Sequence, residues 1–559
     1  MPVRGHVPEK GLRVSGRPPG VGRWGWLGLL TLCGLVDGAA RLTLPAVLGR
    51  SVDALTTHGR AGPLLVTAAG LVAAVVAAEL TEIIVTGTVV ADRTSRLRRR
   101  LVRHILAVGP QGAAKFPTGD LVSRVSVGAA DAARAGPAAV DVAVAVLPPV
   151  GSVVLLAAID LWLGVAFLAG VLLVGLVLVT FTRRSTEVLS AYQRVQGEIA
   201  GRLAEALAGS RTIAAAGTRR REQRRVIAPL PELHRQGRQT WRMLSRAAAH
   251  TALLGPLTQL AVLATAGLAL AQGRITAGEL FAASQYALLG AGLGGVAAQL
   301  AVLARTRAGA ARTAEVRAVP PVSYGRRRLS AGPGAVELRD VSARVAGRDV
   351  LHPLSLSIPA GGCLAVVGPS GAGKSTLLAI VARLREPETG SVLLDGVPVE
   401  QLTSHALRSA VGCAFDRPVL VGTTVSDALG PGLPSDQVRA SATATQAHEF
   451  VSRLPRGYAT PLVEAPLSGG EAQRLGLARA WHAERLLLLD DATSSLDMIT
   501  EHRVEQALQR GARTRIVVTH RAGTAARADR VLWLDGGRVR GLDSHRNLWS
   551  DPQYRAVFT

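Results

Sequence analysis

Cys363-Leu-Ala-Val-Val-Gly-Pro-Ser-Gly-Ala-Gly-Lys-Ser-Thr376 reads as an apolar strand, a glycine-rich turn and the start of a helix. Its second part, Gly368-Pro-Ser-Gly-Ala-Gly-Lys-Ser-Thr376, has the phosphate-loop spacing G-x-x-x-x-G-K-[ST] in the strand–turn–helix context that the motif requires. Glycines let successive backbone N–H groups wrap an anion, and the helix start adds its positive end. The candidate nucleotide-binding residues are therefore Gly368, Pro369, Ser370, Gly371, Ala372, Gly373, Lys374, Ser375 and Thr376. In this reading Lys374 reaches the β- and γ-phosphates and Ser375 holds Mg²⁺. Only three residues of the chain are lysine, and Lys374 is one of them.

Around this segment, strand-length apolar runs alternate with helical patterns from residue 336 to 559. Examples are Ser391-Val-Leu-Leu, Leu486-Leu-Leu-Leu and Arg515-Ile-Val-Val. Such alternation predicts an α/β domain on a largely parallel sheet. Upstream, residues 312–335 hold Pro320, Pro321, Arg326-Arg-Arg and Gly332-Pro-Gly, a linker composition.

The first 311 residues differ in kind. Six long apolar stretches cover about 24–49, 61–90, 136–159, 161–182, 251–273 and 280–304. The last three contain no charged residue, and a membrane-spanning helix needs ~20 residues. The first three carry isolated charges: Asp37 and Arg41, Glu79 and Glu82, and Asp141. The expectation is a six-helix membrane domain, 24–311, whose helices extend into the cytoplasm, after a basic N-terminus, 1–23.

The chain is 559 residues long with a net charge of +24, and 48% of it is hydrophobic. That composition excludes a disordered chain. The distribution of charge sets nucleic acid aside as a partner. Basic residues outnumber acidic ones by five to one in 1–23, nine to three in 92–134 and fourteen to five in 183–249. The alternate segments, 50–60, Asp160 and 274–279, are close to neutral. Positive charge stays on the cytoplasmic side of a bilayer, so both termini are expected in the cytoplasm and the chain in the cell membrane. The three cysteines, Cys33, Cys363 and Cys413, are too scattered for a disulfide framework or a metal site.

Two further motifs sit downstream of the phosphate loop. Leu486-Leu-Leu-Leu-Asp490-Asp491 is an apolar strand ending in two carboxylates, with Asp490 placed to bind Mg²⁺ through water. Leu467-Ser-Gly-Gly-Glu-Ala-Gln-Arg474 opens a helix with a serine and two glycines, a second anion site. With the chain's own phosphate loop already holding a nucleotide, Ser468, Gly469 and Gly470 are free to serve a nucleotide on another chain.

On these motifs the chain resembles the ATP-binding cassette transporters, from about residue 24 to its C-terminus, in the exporter-type half-transporter arrangement. The signature Leu467-Ser-Gly-Gly-Glu471 is the most specific match. Ser494-Ser-Leu-Asp497 is similar to the family's D-loop, and His520 in Val517-Val-Thr-His matches its switch histidine. The resemblance implies a dimer of halves with two ATP molecules held between cassettes, each by one chain's phosphate loop and the other's signature. It also implies departures. Where the family has a glutamate as general base, this chain has Asp491, one methylene shorter, and a misplacement of ~1 Å can cost ~10²-fold in rate. Asp416 stands at the family's loop glutamine, and Val345 at the aromatic residue that stacks on adenine.

All three departures fall in the chain's own nucleotide site, whereas the signature is intact. The expected assembly is a heterodimeric exporter in which this chain carries the degenerate site, with Asp491 and His520 as its catalytic pair. A homodimer that tolerates the substitutions is the alternative. A regulatory subunit that holds ATP and hydrolyses little is a second functional reading, and an importer on the same fold, for example of a metal chelate, is a third. The expected cargo is a small amphipathic peptide, lipid or secondary metabolite. Asp37, Glu79, Glu82 and Asp141 are candidate contacts for a cationic or polar group on it, since charge inside a membrane is costly.

Overall fold

The computed structural model describes the backbone of residues 25–57, 61–290, 293–345 and 347–558. The chain divides into two compact units, one of residues 25–103 and 117–318 and one of 104–116 and 319–558 among those described.

The first unit is helical. Its long helices are Gly25–Thr57, Gly62–Ala113, Ala129–Ala145, Leu147–Ile159, Leu161–Ala208, Leu230–Ala271, Ala277–Gly290 and Leu293–Ala318. Among the described residues, four segments are long and apolar enough to cross a membrane: Gly25–Thr56, Gly62–Ala113, Thr118–Ile159 and Leu253–Ala271. The first part of the helix Leu161–Ala208, Leu161–Leu176, is apolar and lies in the stretch expected at 161–182. The stretch expected at 280–304 is divided between Ala277–Gly290 and Leu293–Ala318, with 291–292 outside the described residues. Helix continues to Ala318, seven residues into the expected linker.

Small residues let these helices approach. A Cβ on Gly49 would collide with the carbonyl oxygen of Gly278, and one on Gly278 with that of Gly49. The crossing is pinned by Asp53, which accepts from the Gly278 N–H at 2.7 Å and the Thr276 hydroxyl at 2.6 Å. Deeper in, Leu156, Leu163, Phe167, Val262 and Tyr286 form the core. Tyr286 is 2% exposed and donates its hydroxyl to the Leu42 carbonyl at 2.9 Å. The outward faces stay apolar: Val66, Ile84 and Leu172 are all more than 60% exposed. Aliphatic surface on that scale suits lipid rather than water.

The second unit carries the α/β domain expected from 336 onward. Strands β1 (Val336–Val345), β2 (Arg348–Ile358), β4 (Thr389–Leu394) and β5 (Val397–Pro398) form an antiparallel sheet in the order β2-β1-β4-β5. Strands β3 (Cys363–Val367), β6 (Val411–Phe415), β7 (Leu486–Asp490), β8 (Thr514–Val518), β9 (Arg530–Asp535) and β10 (Arg538–Asp543) form the second sheet. Its order is β10-β9-β3-β8-β7-β6, parallel throughout except for the β9–β10 hairpin. Of the apolar runs singled out in the sequence, those at 363, 486 and 515 form its interior, with Leu364, Val366, Leu486, Leu488, Ile516 and Val518 each at most 2% exposed, whereas Ser391-Val-Leu-Leu394 lies in β4 of the antiparallel sheet, where strand-length apolar runs occur equally well. Strands buried on both faces need such runs. Because β3, β7 and β8 are parallel neighbours, their carboxyl ends open together, where ligands of α/β sheets bind.

Candidate functional site

The phosphate loop leaves the end of β3 in a conformation that depends on glycine. Gly368, Gly371 and Gly373 have φ of 152°, 84° and 94°. A Cβ on Gly373 would lie 2.7 Å from the Val350 carbonyl oxygen, and one on Gly368 would strike that of Leu534. Gly373 caps the helix Lys374–Val381, so the free N–H groups of its first turn sit beside the loop. The Lys374 ammonium folds back to donate to the carbonyls of Gly368 at 2.7 Å and Pro369 at 2.9 Å. Burial lowers its pKa, and Asp491 and Asp490 offset part of that shift. A confined ammonium above a cradle of N–H groups fits a polyphosphate.

The metal candidates also meet. The Ser375 hydroxyl donates to Asp490 Oδ1 at 3.2 Å, joining the start of the helix to the end of β7. Burial raises the Asp490 pKa, and the bond from Ser375 counters it. A buried carboxylate and a hydroxyl side by side suit a divalent cation bridging to a phosphate, so Ser375 and Asp490 would hold Mg²⁺, directly or through water. When bound, that ion would neutralise charge on the transferring phosphate.

Asp491 follows immediately, and its backbone is in the left-handed region at φ 47°. Aspartate is one of the few non-glycine residues that occasionally adopts this conformation. The carboxylate meets the imidazole of His520, with Nδ1 3.0 Å from Asp491 Oδ1. Asp491, His520, Lys374, Ser375 and Asp490 therefore form one group at the carboxyl ends of β3, β7 and β8. Val345 ends β1, half-buried and paired with Arg348, and offers no aromatic ring.

The signature lies elsewhere. Ser468 caps the helix Gly469–Ala480 in a reciprocal box: its hydroxyl accepts from the Glu471 N–H at 3.3 Å, while Glu471 accepts from the Ser468 N–H at 2.8 Å. Asp497 caps the helix Met498–Gln509, accepting from the N–H groups of Ile499 at 3.1 Å and Thr500 at 2.9 Å, bonds that lower its pKa. Among the described residues, no hydrogen bond or ion pair joins Ser468, Gly469, Gly470 or Asp497 to residues 368–376. Asp416 belongs with this second group: its Oδ1 accepts from the Ser494 hydroxyl at 2.8 Å.

Two residues escaped the sequence reading. Gln473, 2% exposed, joins Asp416 to the D-loop, and Arg521 pairs with the buried Glu501 while donating to the Ser494 carbonyl at 2.9 Å. A glutamine two positions past the signature was the only available signal for the first. For Arg521 it was adjacency to His520.

In the membrane unit the four acidic candidates separate. Arg41 pairs with Asp37 at 2.8 Å and with Glu79, so these two share one arginine. Glu82 and Asp141 make no ion pair among the described residues. They line one cavity of about 670 Å³ together with Arg134, Gln299 and aliphatic Leu30, Ile83 and Val144.

Comparisons with known proteins agree with this architecture. The profile described as "ABC transporter transmembrane region" matches residues 27–291, and that described as "ABC transporter" matches 351–494. The ABC transporter ATP-binding protein RamA of Streptomyces coelicolor is 45% identical over 537 residues, 95% of this chain and 84% of that protein. The multidrug efflux ATP-binding/permease protein Rv0194 of Mycobacterium tuberculosis is 34% identical over 72% of this chain, which spans 35% of that longer protein. Among solved structures, a bacterial Atm1-family ABC exporter with ATP bound matches with a TM-score of 0.78 and 26% identity, over 95% of this chain and 97% of that one.

Proposed function

This chain belongs to the ABC transporters, and from that premise we propose that it is the degenerate-site half of a heterodimeric exporter in the cell membrane. ATP-driven transport across a bilayer, by a fused membrane domain and ATP-binding cassette working as a dimer, is the exporter family's activity. The proposal concerns how this chain takes part. It binds ATP and Mg²⁺ at its own phosphate loop and hydrolyses slowly there, because Asp491 is the base. It offers Ser468, Gly469, Gly470 and Asp497 to a partner's nucleotide. The observation that carries this reading is Asp491 at the base position beside His520, and the separation of the two groups supports the need for a second chain. Lys374, Ser375, Asp490, Asp491 and His520 lie together, while the signature is capped and bonded apart from them. A regulatory subunit with little turnover is the second reading, and the short Asp491 side chain favours it.

The cargo in this proposal is a small amphipathic molecule, with the N- and C-termini of the chain cytoplasmic. Support comes from the membrane cavity, where aliphatic walls adjoin Glu82, Asp141 and Arg134. The relatives' names speak of multidrug efflux and, for a protein of Aromatoleum aromaticum 39% identical over 41% of this chain, of an ATP-dependent lipid A-core flippase, which is compatible with such cargo.

The test uses inside-out vesicles holding this chain and a candidate partner half. Expected is ATP-dependent accumulation of a fluorescent amphipathic amine, abolished when Lys374→Ala is introduced in both halves' equivalent positions. Efflux in the opposite sense would instead support an importer.

A further inference from the structure

Three segments converge at Gln473. The first is residues 416–418, after β6. The second is the signature helix, Gly469–Ala480. The third is the D-loop, residues 493–497. The helix presents Gln473 and Gly476 on one face, three residues apart. A Cβ on Gly476 would lie 2.6 Å from Pro418 Cβ, so glycine lets the loop rest directly on the helix. Six residues earlier, a Cβ on Gly470 would lie 2.9 Å from the Ser495 carbonyl oxygen, so the D-loop lies against the signature glycines.

Gln473 fills the space between them and leaves no polar atom unused. Its Nε2 donates to the Asp416 carbonyl at 2.8 Å and to Ser494 Oγ at 2.8 Å, with Asp416 Oδ1 at 3.3 Å. Its Oε1 accepts from the Ser495 N–H at 2.9 Å. Ser494 Oγ, having accepted from Gln473, donates its own hydrogen to Asp416 Oδ1 at 2.8 Å. A closed ring results: Asp416 holds Ser494, and Gln473 holds both.

We propose that Asp416 is a positioning residue that latches the D-loop onto the signature helix, so that Ser468, Gly470 and Asp497 are presented as one body to the opposing nucleotide. This rests on the dimeric reading above. This role is distinct from holding the cation, because Asp416 Oδ1 is committed to Ser494. The role needs an acceptor and not a charge: the carboxylate is about half exposed, and the arginine nearest it, Arg417, stands off at 3.7 Å.

The test compares Asp416→Ala, Asp416→Asn, Ser494→Ala and the Asp416→Ala/Ser494→Ala pair in the assembled full-length transporter. Loss of one hydrogen bond is expected to lower kcat by roughly 3- to 10-fold in each alanine variant. The pair is expected to fall no further than either single change, as for residues acting as one unit. Asp416→Asn keeps the acceptor and should stay within about 2-fold of the parent. The Mg²⁺ concentration for half-maximal activity should not move. Additive losses, an Asn variant as impaired as Ala, a shifted Mg²⁺ midpoint or an unaffected kcat would each overturn the latch. Hydrogen exchange reads the same ring without turnover. The Ser495 amide should exchange roughly 3- to 10-fold faster in Asp416→Ala. An unchanged rate there refutes the latch. A parent complex that hydrolyses no ATP while the Ser495 amide responds as expected refutes the exporter reading and leaves the latch standing.

Discussion

Single residues carry most of what distinguishes this chain from an ordinary member of its family. Asp491 sits at the end of β7 with a left-handed backbone and its carboxylate against His520. The substitution was visible in the sequence, but the backbone strain and the histidine contact were not, because both depend on where β8 delivers residues 518–520. Asp416 is a similar case. Its place at the position of the family's loop glutamine was legible in the sequence, yet its partners come from helix and loop segments 57 and 78 positions away. The cysteines give a cleaner residue-scale expectation. Burial pushes the Cys413 thiol up to about 11, with Arg408 opposing it weakly. The thiolate is the reactive form, so its population at pH 8 is depleted on the order of 10²-fold relative to a free cysteine. In the native protein at pH 8, Cys413 should resist iodoacetamide for hours and react within minutes once urea is added, as followed by peptide mass spectrometry. Rapid native labelling would mean that β6 opens readily.

At the scale of elements, periodicity and motif spacing located the strands well. The parallel sheet places Leu364, Leu488 and Ile516 in its interior, and their flanking residues had already indicated strand length. Helical packing in the membrane unit was far less legible. Gly49 and Gly278 touch through backbone atoms, and nothing local marks either glycine as part of a crossing rather than a turn. Gly476 belongs to this class. It lies inside a helix, where glycine costs ~1 kcal/mol against alanine, so its presence calls for a packing reason, and Pro418 supplies one. Gly476→Val should therefore lower the cassette's stability by about 1–3 kcal/mol through overpacking. The melting temperature should fall by several degrees, even though valine forms helix better than glycine. An unchanged or higher melting temperature would show that the 416–418 loop yields without cost.

For the whole molecule, charge and hydropathy were the informative quantities. Basic residues concentrate in 1–23, 92–134 and 183–249, and the helical unit between them exposes aliphatic faces to its surroundings. The separation of the phosphate-loop group from the signature group is also a property of the entire cassette. One chain holds a complete set of parts but does not bring them to one nucleotide, as expected of a molecule that works in pairs. The most direct measurement is ATP hydrolysis by the purified full-length chain, alone and mixed with a partner half, each with and without Asp491→Asn. The account predicts turnover that appears only in the mixture, survives Asp491→Asn within about 3-fold and is lost on Ser468→Arg, which fills the signature's anion site. Robust turnover by the chain alone that Asp491→Asn abolishes would contradict it, making this chain a homodimer with aspartate as an adequate base.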